Sequence, residues 1–259
     1  MRHKNLIKLV FFVALLSVIS NESVAQTELW VHDEFGQLAR VDVATGDVEV
    51  VGNLGIVLTD IAFAPDGQTL FGLSEERFVQ VDPITAQVFD IGAHGIPDAN
   101  ALVFNTDGTL YAASATSSFL YEIDLNTADS TQFGDIGFFS AGDLAFNDGD
   151  FFLSSTSDEL IEIDLLNNAS GTTLGNIGFT NVFGLATAAD GTLFGVSDDN
   201  IFSINTQTGA GTFVTNFDGL GIAFGSSFTT EAIGVPEPSS ILLLVAIATC
   251  TNGRRKRST

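Results

Sequence analysis

The chain has 259 residues, with 9 Lys+Arg against 32 Asp+Glu, and is 45% hydrophobic and 10% aromatic. Between Gln26 and Val235 only Arg40 and Arg77 oppose thirty acids, a net charge of −28, so nothing there neutralises phosphates and nucleic-acid binding is excluded. The apolar content excludes a disordered polyanion and is enough for a sizeable core.

In chain order, residues 1–25 read as a secretory signal. Arg2, Lys4 and Lys8 precede the apolar run Leu9–Ile19, and Ser23-Val24-Ala25 supplies small residues for cleavage between Ala25 and Gln26. The run is too short for the ~20 residues of a membrane-spanning helix.

Residues 26–230 repeat five times. Asp66-Gly67, Asp107-Gly108, Asp148-Gly149 and Asp190-Gly191 are spaced 41, 41 and 42 residues apart, each between short apolar runs such as Ile61-Ala62-Phe63 and Leu70–Leu73. Such a pair predicts a hairpin, because glycine adopts positive φ without steric cost. A third run ends in Asp42, Asp82, Asp124, Asp164 or Asn205, placed to bond the following turn, and a fourth leads to glycine, as at Gly92, Gly134 and Gly175. Four short strands per ~41 residues, with no helical periodicity, predict an all-β fold, a five-bladed β-propeller.

Leu29–Val31 matches the second strand of the repeat. Its missing first strand is expected at Leu220–Gly225, so that a C-terminal strand completes blade 1 and no sheet edge is left open between the ends. The repeat resembles bacterial propellers carrying the phrase seen here at Phe104–Tyr111 and Leu120–Asp124. Propellers host many activities, so that resemblance implies a fold and no single function.

Two sets of acids are candidate sites. Asp33-Glu34, Glu75-Glu76, Asp158-Glu159 and Asp198-Asp199 stand at four of the five hairpins between second and third strands, and a ring of carboxylates suits Ca²⁺, which takes six to eight oxygens. Solvated tips that keep an apolar repeat soluble explain the same residues. Asp60 and Asp143 occupy equivalent positions at the start of innermost strands, where Ala101, Gly184 and Gly221 are expected in the other blades. Two carboxylates there suit a cation or an acid–base pair, or cap the channel by bonding neighbouring N–H groups. His32 and His94, both compatible with the loop face, lack metal-ligand spacing, and no G-x-S-x-G elbow is present. Of the body's aromatics 21 are Phe, which suits packing between blades better than stacking on sugars.

The linker 231–238 leads into a tail, 239–259. Val235-Pro236-Glu237-Pro238-Ser239-Ser240 is followed by the apolar run Ile241–Cys250 and by Arg254-Arg255-Lys256-Arg257, a basic stop that favours the cytoplasmic side. Cys250 is the single cysteine, so the body has no thiol chemistry. This arrangement resembles the PEP-CTERM sorting signal of Gram-negative bacteria. The resemblance implies recognition of Pro236, Glu237 and Pro238 by an exosortase-type enzyme, transient inner-membrane anchoring through the tail, and delivery to the cell surface or an exopolysaccharide matrix. The expected function is a non-enzymatic interaction platform meeting exopolysaccharide or surface proteins. The alternatives are a calcium-dependent propeller enzyme resembling lactonase, lyase or glycosidase types, and a glycan-binding module.

Overall fold

A computed structural model describes residues 28–233. Twenty strands form five four-stranded antiparallel sheets. Blade 1 holds β1 (Glu28–Asp33), β2 (Gln37–Asp42) and β3 (Val48–Asn53), and blade 2 holds β4 (Asp60–Phe63), β5 (Leu70–Leu73), β6 (Arg77–Val81) and β7 (Val88–Ala93). Blade 3 holds β8 (Ala99–Phe104), β9 (Leu110–Ser114), β10 (Phe119–Ile123) and β11 (Ser130–Asp135). Blade 4 holds β12 (Ser140–Asn147), β13 (Asp150–Ser155), β14 (Glu159–Asp164) and β15 (Ser170–Asn176). Blade 5 holds β16 (Val182–Thr187), β17 (Leu193–Ser197), β18 (Asn200–Ile204) and β19 (Gly211–Asn216); β20 (Ala223–Ser227) returns to pair with β1. The innermost strands pack in a closed circle, β4 on β8, β12, β16 and β20, and β20 again on β4. The chain is a five-bladed β-propeller whose first blade is completed by its last strand. Among the described residues no helix is long and apolar enough to cross a membrane.

Hydrophobicity falls from hub to rim. In blade 2 every residue of β4 and β5 is buried, β6 alternates, and β7 is largely exposed. That gradient follows from a sheet that is covered on both faces near the hub and only by solvent at its outer edge. The hairpins arise as the Asp-Gly spacing predicts: Gly67 has φ +64°, and Gln68 and Thr69 donate their N–H groups to Asp66 Oδ1 at 2.8 Å each. The acids and Asn205 closing the third strands do likewise; Asp42 accepts from Ala44 N and Thr45 N at 2.8 and 2.9 Å, and Asn205 from Gln207 N and Thr208 N at 2.9 and 3.0 Å.

The core is five apolar wedges, one between each pair of neighbouring blades. Aromatics fill each. Trp30 meets Phe63 edge-on, Phe71 meets Phe104, Tyr111 meets Phe151, Phe179 stacks on Phe202 at 3.9 Å, and Phe194 meets Phe228. At the rim each blade leans on the next through the turn after its third strand. Ala86, Ala128 and Ala169, buried and left-handed at φ +58°, +65° and +58°, press on Gly52, Gly92 and Gly134 of the preceding blade. The glycine near the end of the fourth run in blades 1 to 4 is therefore a contact requirement. A Cβ on Gly92 would lie 2.9 Å from Thr127 O and 3.0 Å from Ala128 Cβ. Gly92→Ala is expected to cost about 2 kcal/mol in urea unfolding, by forcing two blades apart; an unchanged midpoint would refute the contact.

One expectation is corrected. The closing strand is Ala223–Ser227, and Trp30, Val31 and His32 pair with Ser227, Ser226 and Gly225. Gly225, not Gly221, therefore occupies the position of Asp60. Gly221-Ile222-Ala223-Phe224 imitates Asp60-Ile61-Ala62-Phe63, but Asp33 Oδ2 accepts from Gly221 N at 2.8 Å and Ile222 O accepts from Glu34 N at 2.9 Å, which holds Gly221 and Ile222 as loop and starts the strand at Ala223. Phe228 then takes the apolar end position held elsewhere by Phe63, Phe104 and Phe146.

Candidate functional site

Polar chemistry concentrates at the hub. Asp60 and Asp143 are both 0% exposed. Each carboxyl joins its own strand to the next blade in the same way. Asp60 Oδ1 accepts from Ile61 N (2.7 Å) and Oδ2 from Leu102 N (2.6 Å); Asp143 Oδ1 accepts from Leu144 N (2.7 Å) and Oδ2 from Leu185 N (2.6 Å). The two carboxyls also hydrogen-bond to each other, which requires a proton between them. Burial pushes both well above the usual carboxylate range. Of the two readings of this pair, the backbone cap describes all four oxygens.

The other blades leave small residues at this level, and side chains from adjacent strands fill the space. A Cβ on Gly225 would collide with Asp60 Oδ1 and stand 2.8 Å from His32 Nε2; one on Gly184 would stand 2.6 Å from Ser226 Oγ. His32 is 0% exposed within the fold, and among the described residues neither ring nitrogen has a partner; Ser226 Oγ has none either. Burial holds the imidazole neutral, lowering its pKa to about 4 against the opposing pull of Asp33. His94 is also buried, its Nδ1 accepting from Ile96 N and its Nε2 3.1 Å from Ser74 O.

Below this level the chain leaves β20 and turns under the hub. Glu231 Oε1 accepts from Thr187 N (3.4 Å) and Oε2 from Ser227 Oγ (3.1 Å). Burial pushes its carboxyl up to about 8, and its charge raises Asp60 and Asp143 in turn. The sequence reading missed Glu231. Its signal was a lone acid between Phe228 and Ile233, which gains meaning only once the register of β20 places that segment beneath the hub. Asp60, Asp143 and Glu231 face no cation: among the described residues Arg40 pairs with Glu28 and Glu49 and Arg77 pairs with Asp90, all at the rim.

The hairpin acids are not brought together. Glu75, Glu76, Asp198 and Asp199 are exposed and Asp158 and Glu159 half-buried, each at its own blade's turn. Asp158 and Asp198 take left-handed backbone, φ +60° and +54°. Asp33 is no solvated tip; it is buried, and Oδ1 accepts from Phe35 N and Gln37 N while Oδ2 accepts from Gln37 Nε2 and Gly221 N. Ser74, Ser114 and Ser155 hold the same place in three other blades and accept from their own hairpins. Among the described residues no three His, Cys, Asp or Glu side chains are arranged to hold a metal ion. Ala25, Gln26, Pro236, Glu237, Pro238 and the tail lie outside the described residues.

The hub opens on two sides. On the side of the second-to-third-strand hairpins is a mouth of 170 Å³ lined by Thr59, Asn100, Gly142, Phe183 and Phe224, the five equivalent first-strand positions. On the opposite side, the Asp-Gly hairpins of blades 3, 4 and 5 and the segment Thr230–Ile233 enclose a cleft of 620 Å³ with Phe146, Asp148 and Glu231 in its wall.

Fold and hub together define a β-propeller closed by strand exchange between its ends, with a hub that bears acids and, among the described residues, no cation. The fold is similar to a chain of the nidogen/laminin complex, at 10% identity and a TM-score of 0.55 over 79% of this chain and 82% of that one. It is also similar to a chain from work on the de novo evolutionary emergence of a symmetrical protein, at 16% identity and a TM-score of 0.50 over 76% and 96%. No protein-family model and no curated protein matches the sequence.

Proposed function

We propose that this is an exported propeller displayed at the cell surface or in an exopolysaccharide matrix, where it acts as a non-enzymatic interaction platform after sorting by an exosortase. The observation that carries the reading is the tail itself: Pro236-Glu237-Pro238, the apolar run Ile241–Cys250 and the cluster Arg254–Arg257. The fold is compatible with removal of that tail. β20 ends at Ser227, and Phe228 and Ala232, buried in the segment that follows it, also precede the motif. Processing at the Pro-Glu-Pro motif takes no strand from any blade. The exposed apolar residues Phe35, Val57, Phe139 and Ile222 lie on loops of the hairpin face, which gives a platform something to bind with.

Replacing Pro236, Glu237 and Pro238 with alanine in the native host tests the reading. The full-length variant is expected in the inner-membrane fraction, with the matrix fraction depleted about tenfold or more, the scale of a lost specific recognition. An unchanged distribution would overturn sorting through this motif.

A further inference from the structure

The 620 Å³ cleft beneath the hub falls in the size range of ligand sites. Phe146, half-buried in its wall, has one ring face stacked on Phe151 at 4.2 Å, and Ile233 is 42% exposed at the rim. Asp148 stands on the hairpin of blade 4, with both carboxylate oxygens 3.8 Å from the point where Gly191 would carry a Cβ. Thr230 Oγ1 is enclosed in the same wall and has no partner. Among the described residues no Lys, Arg or His lines the cleft.

These features exclude three ligand classes and favour a fourth. Anions meet two acids and no counter-charge. A hard divalent cation needs more ligands than the two acids present, and no three converge. A neutral polyol leaves the cleft's charge unused. An ammonium group has three donors, and Glu231, Thr230 Oγ1 and Asp148 are three acceptors; an apolar stem behind it meets Phe146 and Ile233, and the ring face also attracts a cation.

We propose that this cleft binds an organic ammonium group on an apolar stem, the chemistry of a free diamine or of a lysine side chain. The site stands apart from the sorting reading and does not depend on it. Binding has a signature. The Glu231 carboxyl, held up to about 8 by burial, carries its proton at neutral pH, and the ammonium charge displaces that proton to solvent. The groups facing it are Asp60 and Asp143 from the hub and Asp148 across the cleft, all acidic.

The test is calorimetric titration of the full-length protein at pH 7 in two buffers of different ionisation enthalpy. The probes are 1,5-diaminopentane and a lysine-bearing peptide, with glucose, hexanoate and CaCl₂ as controls. Amine binding is expected, with heats that differ between buffers by release of about one proton. A diamine response alone identifies a free amine as ligand; a peptide response alone identifies a protein. Glu231→Gln is expected to weaken binding about tenfold and abolish proton release. Asp148→Asn, an exposed change that leaves the fold intact, is expected to weaken it about threefold. The proposal falls if neither amine binds, if glucose or Ca²⁺ binds as well as the amines, or if both variants bind as the parent does.

Discussion

A chain stopped after Leu220 is expected to show no cooperative thermal transition, whereas one stopped after Ile233 is expected to melt as the full-length protein does. The first truncation removes β20. It strips the partner of Trp30, Val31 and His32, opens a long apolar edge on β1, and empties the wedge between blades 5 and 1 of Ala223 and Phe228, both at most 1% exposed. It also takes Ser227 Oγ, which accepts from Phe63 N at 3.2 Å and so joins blades 1 and 2. Losing one buried Phe costs about 3–5 kcal/mol, and a whole inner strand exceeds the ~5–15 kcal/mol by which domains are stable. The second truncation keeps every described strand and the segment through Ile233, so its effect is expected within about 0.5 kcal/mol. Circular dichroism and calorimetry on both chains decide it; a cooperative melt of the shorter chain would show that β20 is dispensable.

Stability is expected to fall as pH rises from 6.5 to 8, against the habit of acidic proteins. The sign follows from proton counts. Glu231, with a folded pKa near 8, and Asp60 and Asp143, also raised, stay protonated in the fold while the same groups ionise in the unfolded chain above the usual carboxylate range. The folded state therefore binds more protons, and stability is lost with each unit up to the folded pKa. His32 works in the opposite sense, between its folded value of about 4 and the ordinary 6.5, where the unfolded chain takes the proton that the fold refuses. Above 6.5 only the carboxyls act. Glu231 alone is worth about 2 kcal/mol over that interval, or ~4–8 °C in Tm. Glu231→Gln is expected to flatten the profile by that amount. A Tm that rises or stays level from pH 6.5 to 8 in the parent would show the hub carboxyls to be ionised. The turn aspartates act elsewhere: Asp82 and Asp124 are held low by the N–H groups of their own turns, and their share is lost only in strong acid.

The architecture was legible because each blade states it in the same words. Asp66-Gly67 and its three repeats are turns whose reason is local, as are Asp42, Asp82 and Asp124, so spacing alone locates them. The closing register is four residues later than the pattern suggests because Gly221–Phe224 carries the apolar pattern while the positions equivalent to Asp60–Phe63, Gly225–Phe228, carry serines. What decides between them is Asp33 and Glu34, nearly 190 residues earlier, holding Gly221 and Ile222 as loop. The hub carboxyls were visible as a break in the repeat at Asp60 and Asp143. Their partners were not: Leu102 N and Leu185 N belong to other blades, and His32, Ser226 and Glu231 reach the hub only through ring closure. The hairpin acids read as one ring because they are adjacent in the repeat, but each is fixed by its own turn, and a five-fold circle keeps such tips apart.

The carboxyl staples of the hub are present at two of the five seams, blade 2 to blade 3 and blade 4 to blade 5. Lighter links span two others: Asn100 Nδ2 donates to Ser140 O at 3.1 Å between blades 3 and 4, and Ser227 Oγ accepts from Phe63 N between blades 1 and 2. The fifth seam, from blade 5 to blade 1, is tied by Glu231 Oε1, which accepts from Thr187 N at 3.4 Å. Symmetric in outline, the ring is tied unevenly: Asp60 of blade 2 and Asp143 of blade 4 also bond to each other across the hub, so the two staples form one unit. Loosening either staple is therefore felt at both seams, although the two seams share no blade.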